Sequence, residues 1–364
     1  MKKIRVNLNK SSYDILICYN EINKLGKSLK QLSIGTDAVI ITNPTIKRLF
    51  GDRIKKSLIS AGFNVTFGMA PDTEKAKSET HCIRLLNNIS KLDGSKRRIF
   101  IVALGGGVIG DLAGFIASIY RRGIPYVQVP TTLLAQVDSA IGGKVAIDLK
   151  VGKNLAGAFY QPSLVFSDLS LLKTLPKKDL ISGLGEVVKY GIIKSPQLFG
   201  FLEKNCGKIL KCDKKALRYV VYACSSIKAK VVEKDEKDNK GIRVILNLGH
   251  TVGHAIEAAA DYSNLYSHGQ AIALGILVVS LISSKLGLLD KKHHLKIRDL
   301  IKKLKLPVIL KGLDIQDILS AQEHDKKFIH GKNRFVLPVR IGRVVVKEGI
   351  PLSIVTKSIS ALFE

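Results

Sequence analysis

Three of the chain's eight histidines fall in one glycine-studded stretch, His250 and His254 in NLGHTVGH and His268 in YSHGQ. A spacing of four stacks His250 and His254 on one face of a helix. Spacing alone therefore nominates them as joint metal ligands, although the glutamate that an HExxH site carries between its histidines is missing. Upstream, Glu186 and Lys189 in SGLGEVVK lie three apart, again on one helical face. Their neighbours are apolar or glycine, so the pair is expected away from solvent, where charges need partners. A glutamate with two histidines is a zinc-type donor set that leaves a position open for substrate oxygens.

A second constellation suits phosphate. Gly105, Gly106, Gly107 and Gly110 in GGGVIGDL follow an apolar β-rich run and open a helical pattern. Glycines in that context admit a pyrophosphate to the backbone N–H groups of a helix N-terminus. The spacing is that of the dinucleotide fingerprint, yet it follows the third readable strand rather than the first. The acid expected about 20 residues further on is also missing. A dinucleotide site of different wiring and a plain tight turn both remain open. In PTTLLAQVDS, the hydroxyls of Thr131 and Thr132 suit phosphate or ribose and Asp138 suits a sugar hydroxyl, with a helix cap as the plain alternative for the threonines. Gly142-Gly143-Lys144 and Gly152-Lys153-Asn154 set lysines beside permissive backbone, which suits phosphate or carboxylate.

These groups need elements to hold them. Apolar runs at 37–42, 63–67, 98–104, 125–130 and 164–166 read as strands separated by helical segments, the pattern of βαβ units and a mostly parallel sheet. From about Leu172 helical periodicity takes over, as at Ala216, Tyr219, Val220, Ala223 and Ile227. Pro176 marks the expected boundary between an α/β dinucleotide-binding domain at 1–176 and a mainly α-helical metal- and substrate-binding domain at 177–364. With 46% apolar and 24% charged residues the chain is not of the disordered class. Its basic start lacks an apolar core, so no signal peptide is read. The apolar stretch 271–284 is too short to span a bilayer and reads as a buried helix. Five cysteines without a CxxC pair fit a reducing, cytoplasmic setting. The net charge of +28 is scattered along helical faces without aromatic interleaving, which argues against a nucleic acid partner. Such a field still attracts a multiply charged anion.

Taken together, GGGVIGDLAGFIAS, RGIPYVQVPTTLLAQVDSAIGGKVAID, GKNLAGAFYQP, GLGEVVKYGII and NLGHTVGHAIEA with SHGQAIALG resemble the 3-dehydroquinate synthase family of sugar phosphate cyclases over nearly the whole chain. The resemblance implies a Rossmann-like N-terminal domain, a mainly α-helical C-terminal domain, a homodimer, and one NAD and one zinc (or cobalt) per subunit. It implies Glu186, His250 and His268 as zinc ligands, and it makes His254 a catalytic, substrate-contacting residue in place of the ligand role that spacing gives it. NAD is implied over Gly105, Gly106 and Gly107, with Asp111, Thr131, Thr132, Asp138, Lys144, Lys153 and Thr174 around it and Asn43, Glu74 and Lys77 at the adenosine end. Implied substrate groups are Arg122 (reaching into the neighbouring subunit), Lys144, Asn154, Lys189, Lys228, Arg243, Asn247 and the adjacent Lys326 and Lys327.

The implied reaction turns a seven-carbon sugar-acid phosphate into a carbocycle and inorganic phosphate. Its steps are transient oxidation by NAD, β-elimination of phosphate, reduction, ring opening and aldol closure. A substrate with both a carboxylate and a phosphate accounts for the several lysines and arginines. The alternatives are another sugar phosphate cyclase, an aminodehydroquinate synthase, or a glycerol-dehydrogenase-like oxidoreductase. Lys228, Arg243 and Asn247 suit a substrate carboxylate, and the lysines at 144, 153 and 189 exceed what a neutral polyol needs. One segment departs from the family pattern: 235–243 is a residue longer than in many relatives, with Asp238 where a glutamate is common.

Overall fold

The computed structural model describes residues 1–94, 98–260, 265–323 and 333–363. The chain divides into two compact units, one formed by Met1–Leu175 with Leu217–Lys237, the other by Pro176–Ala216 with Asp238–Glu364.

The first unit is built on β3 (Asp37–Thr42) and β5 (Ile99–Gly105), each buried along its whole length. Because side chains alternate across a strand, such continuously apolar runs belong to a sheet covered on both faces. Ala38, Ile40, Phe100, Val102 and Leu104 point to one face, where they pack with α1 (Leu25–Lys30) and α3 (Asp52–Ser60) through Leu25, Leu29, Ile54 and Leu58. Val39, Ile41, Ile99, Ile101 and Ala103 point to the other, against α4 (Glu79–Leu92) and α5 (Gly107–Ile119) through Leu85, Ile89, Leu112 and Ile116. Between β3 and α3 lies the single turn α2 (Pro44–Ile46).

With β4 (Asn64–Met69), β6 (Tyr126–Pro130) and β9 (Leu164–Asp168), all five expected strands are present, shifted by a residue or two at their ends. The sheet is wider than the sequence suggests, with order β1-β2-β9-β6-β5-β3-β4. The additions are β1 (Lys2–Val6) and β2 (Tyr13–Cys18), an antiparallel pair whose second member joins β9 in parallel. β1 is an edge strand carrying Lys2, Lys3 and Arg5, charges that protect an edge and hide a strand from hydropathy. As a result the glycine loop follows the fifth strand of the chain rather than the third. The two lysine-bearing glycine segments form an antiparallel hairpin, β7 (Lys144–Leu149) with β8 (Gly152–Phe159).

The second unit is mainly helical: α6 (Lys177–Lys194), α7 (Pro196–Leu210), the first turn of α8 (Lys214–Lys234), α9 (His250–Ala259), α10 (His268–Lys285), α11 (Lys291–Lys303), α12 (Ile315–Glu323) and α13 (Leu352–Ser360). A hairpin of β10 (Arg334–Arg340) and β11 (Arg343–Glu348) completes it. The apolar stretch expected to be a buried helix is α10, buried from Ala271 through Ser280.

Glycines decide how closely α6, α9 and α10 approach. A Cβ on Gly185 would lie 2.1 Å from the carbonyl oxygen of Gly269, one on Gly269 would lie 1.6 Å from that of Ser182, and one on Gly275 would lie 2.0 Å from that of Gly249. The three helices therefore meet backbone to backbone, and no larger residue fits at these crossings.

Candidate active site

In the first unit the chain steps outward from β3 to β4, then returns to β5 and runs the other way through β6 to β9. The carboxyl ends of β3 and β5 thus border a topological switch point, the usual ligand crevice of an open α/β sheet. Gly105, Gly106 and Gly107 sit there and lead into the N-terminus of α5. A Cβ on Gly107 would lie 3.0 Å from Ser139 Oγ, and one on Gly106 would lie 3.1 Å from Thr132 Cγ2. The buried hydroxyl oxygens of Thr42, Thr131 and Ser139 have no hydrogen-bond partner. A bare-backbone cradle at a helix N-terminus, ringed by unpaired hydroxyls, fits a pyrophosphate.

Three of the expected dinucleotide residues also have structural work. Thr132 Oγ1 accepts from Ala135 N at 3.1 Å, the helix-cap role open to it in the sequence, and Asn43 Oδ1 caps α2 by accepting from Ile46 N at 2.8 Å. Thr174 Oγ1 donates to Leu171 O at 3.1 Å.

Lys77 organises the side of the crevice. Its ammonium, 3% exposed, donates to Asp111 Oδ2 at 2.9 Å and to Asn154 Oδ1, with Glu74 and Asp148 at 3.8 and 3.9 Å. Burial pushes the Asp111 carboxyl up to about 6 despite the opposing pull of Lys77. Asp138 is held from the other side by Lys228, whose Nζ donates to its Oδ1 at 2.9 Å and to its carbonyl at 2.8 Å. Lys144, Lys153 and Arg122 are exposed.

In the second unit the close helices place the acid and the imidazoles together. Glu186 comes from the middle of α6, while His250 and His268 are the first residues of α9 and α10. His250 Nε2 lies 3.4 Å and His268 Nε2 3.5 Å from Glu186 Oε1. The three donors lie within 4.8 Å of one another. Donors about 2.0–2.2 Å from one tetrahedral zinc sit roughly 3.3 Å apart, so the spacing fits such an ion. The Glu186 carboxylate is fully buried and both of its oxygens lack a hydrogen bond, although the Lys189 ammonium lies against one of them. Lys189 lies against Oε2, so Oε1, which faces both imidazoles, is the oxygen that suits a further cation.

Burial alone would favour the uncharged His268 ring, but the Glu186 and Glu257 carboxylates outweigh it and raise its pKa to about 10. His254, the second histidine that spacing pairs with His250, is exposed and groups instead with Glu257 and His268. Arg243 is buried and Asn247 half-buried, in the short turn of helix that precedes α9. Lys326 and Lys327 lie outside the described residues.

Sequence reading missed three residues at these sites. Asp148 and Ser139 carried no spacing signal. Glu257 did: it stands three residues after His254, hence on the same face of α9.

Residues 68–182 match the family described as 3-dehydroquinate synthase N-terminal, and residues 183–328 match its C-terminal counterpart. The 3-dehydroquinate synthase of Thermodesulfovibrio yellowstonii is 46% identical over 347 residues, covering 95% of this chain and 96% of that protein. That of Pelotomaculum thermopropionicum is 45% identical over 362 residues, covering 99% and 97%. Among solved structures, 2-epi-5-epi-valiolone synthase from Streptomyces hygroscopicus, with NAD+ and Zn2+ bound, superposes with a TM-score of 0.88 at 23% identity and 98% coverage of each chain. That likeness fixes the fold, while the family matches and the two close relatives fix the lineage: this chain belongs to the 3-dehydroquinate synthase family.

Proposed function

We propose that the chain converts 3-deoxy-D-arabino-heptulosonate 7-phosphate into 3-dehydroquinate and inorganic phosphate, a carbon–oxygen lyase reaction of the shikimate pathway, using NAD and zinc. The observation that carries this beyond family membership is the fate of the cations. Of 58 lysines and arginines, the buried ones among the described residues are Lys77, Lys189, Lys228 and Arg243. Burying a cation is costly even where a carboxylate lies against it, as at Lys77, Lys189 and Lys228, and a concentration of such charge at these positions supports an anionic ligand beside them.

In this reading Glu186, His250 and His268 hold the zinc, and Gly105, Gly106 and Gly107 hold the pyrophosphate of NAD. Asp111, Thr131, Thr132, Asp138, Lys144, Lys153 and Thr174 surround the dinucleotide, with Asn43, Glu74 and Lys77 at its adenosine end. When bound, NAD takes up and returns one hydride while zinc polarises the hydroxyl that is oxidised. Lys144, Asn154, Lys189, Lys228, Arg243, Asn247 and Arg122 bind and orient the carboxylate and phosphate of the substrate. His254, exposed beside the metal ligands, contacts the substrate and exchanges its proton.

Pro176 is the working boundary between the dinucleotide-binding and metal-binding parts. A homodimer is supported by Val151, Leu155 and Phe159, which are 86%, 41% and 44% exposed at the β7–β8 hairpin and offer an apolar face to a second copy. A cytoplasmic location is supported by the five free cysteines.

Phosphate release from the seven-carbon substrate, coupled to dehydroquinase, tests the assignment. Release that requires NAD, is abolished by chelator and returns with zinc is the expected outcome. A folded, zinc- and NAD-supplied protein that releases no phosphate refutes it.

A further inference from the structure

We infer that Glu257 is a positioning residue for the metal site, fixing which nitrogen of His268 faces the ion; this rests on the zinc reading above. The two nitrogens of His268 look in opposite directions. Nε2 faces Glu186 Oε1 at 3.5 Å, and Nδ1 faces both oxygens of Glu257 at 3.3 Å. An ionised carboxylate only accepts, so Nδ1 carries the proton and donates it to Glu257. With the Nδ1 proton committed to Glu257, Nε2 is the nitrogen left to exchange its proton for a cation, on the side where Glu186 and His250 gather. The other histidine is oriented differently. His250 Nδ1 lies 3.2 Å from the carbonyl oxygen of Leu248, a neutral acceptor that no side-chain substitution removes. Glu257 therefore supplies a charged outer contact to His268, and its negative charge makes that ring a stronger donor to a dication.

The grouping of His254, Glu257 and His268 suggests a second cation site, but the directions of the nitrogens argue otherwise. His268 Nδ1 lies 3.3 Å from both Glu257 oxygens, and with its proton donated there it has no lone pair for a second ion. The second group is the outer half of the first site. Glu257 is 17% exposed and lies on α9, the helix that begins with His250, so one short helix carries a ligand and the carboxylate that orients another.

Zinc affinity by chelator competition is the test, made on full-length wild type, E257A, E257Q and E186Q, with the cobalt(II) absorption spectrum and apo-protein melting recorded for each. E257A is expected to bind zinc about 10–100-fold more weakly, with a changed cobalt spectrum and an unchanged apo melting point. E257Q keeps an oxygen for the Nδ1 proton but loses the charge, and is expected to fall between E257A and wild type, at least about threefold below the latter. E257A at wild-type affinity with an unaltered cobalt spectrum overturns the role of Glu257 alone. Should E257A not fold, E257Q at wild-type affinity overturns it. Wild type that takes up no zinc, or E186Q that binds as wild type does, overturns the zinc reading and this inference with it.

Discussion

The crossing of α6 and α10 at Gly269 can be tested by a single methyl group. In Gly269→Ala the new Cβ would lie 1.6 Å from Ser182 O and 2.5 Å from its carbonyl carbon, and both are backbone atoms that cannot rotate away. Reaching ordinary contact needs the helices to part by roughly 2 Å. His268 is the neighbour of that methyl and the first residue of α10, and its Nε2 lies 3.5 Å from Glu186 Oε1 on α6. Metal sites tolerate about 0.2 Å of error in ligand distance, so a shift of that size removes His268 from the donor set. If three protein donors share about 10 kcal/mol of zinc binding, losing one costs roughly 3 kcal/mol, or about 100-fold in affinity. The overpacking adds a stability loss of about 1–3 kcal/mol or more. Gly200→Ala is the matched control, because Gly200 lies within α7 with no atom within 4 Å of its added Cβ. It is expected to bind zinc as wild type does and to gain up to about 1 kcal/mol from helix propensity. Chelator competition and urea unfolding on both variants decide the matter. Gly269→Ala that holds zinc within fivefold of Gly200→Ala would show that helix proximity does not set the ligand geometry.

Other positions give independent checks. Asp168 is fully buried and accepts from Asn20 N and Glu21 N at 2.7 Å each, Ser170 N at 2.9 Å and Ser170 Oγ at 2.7 Å. Asp168→Asn turns one acceptor oxygen into a donor facing a donor, and should cost about 2–4 kcal/mol in urea unfolding. Lys77→Met removes the buried ammonium that holds Asp111 and Asn154. It should raise the Asp111 pKa further above about 6 and weaken NAD binding by about tenfold in fluorescence titration. Burial, then Arg298, lowers the pKa of His294, whose Nδ1 lies 2.8 Å from Ser280 Oγ. The unfolded chain therefore takes up this proton first. The stability contribution of His294 is complete above its unfolded pKa near 6.5 and is lost as pH falls through the lower folded value. Urea midpoints at about pH 7.5 and about pH 5.5 should differ less in His294→Gln than in wild type.

What the sequence made legible depended on whether a residue's role follows from its near neighbours. The glycine loop was readable because strand, glycines and helix are contiguous. Its place in the sheet was not, since β1 is a charged edge whose partner β2 joins β9, far along the chain. The lysines of β7 and β8 read as a ligand loop because glycines and polar residues dominate there. A two-stranded hairpin with one open face keeps just such residues, and Gly142 and Gly143 take positive φ of 98° and 69° before it. Lys189 was separable from the surface lysines because glycine and apolar residues flank it. Glu257 shares a face of α9 with His254, but its contact with His268, eleven positions away on another helix, is made by packing alone.

The same separation of scales explains how a chain with 58 basic and 30 acidic residues would hold the cation proposed for it. His250 and His268 each open a helix, where the helix dipole presents a positive end that opposes a dication. The net charge of +28 opposes it as well, but from the surface, where salt screens interactions beyond about 8–10 Å. Glu186, fully buried, and Glu257, 17% exposed, act on these histidines at 3.3 to 3.5 Å, a range at which salt screens little. In the proposed site the distant lysines would draw in an anionic substrate while the two carboxylates would fix the affinity for the metal. Substituting surface lysines leaves the second quantity alone, and substituting either carboxylate leaves the first.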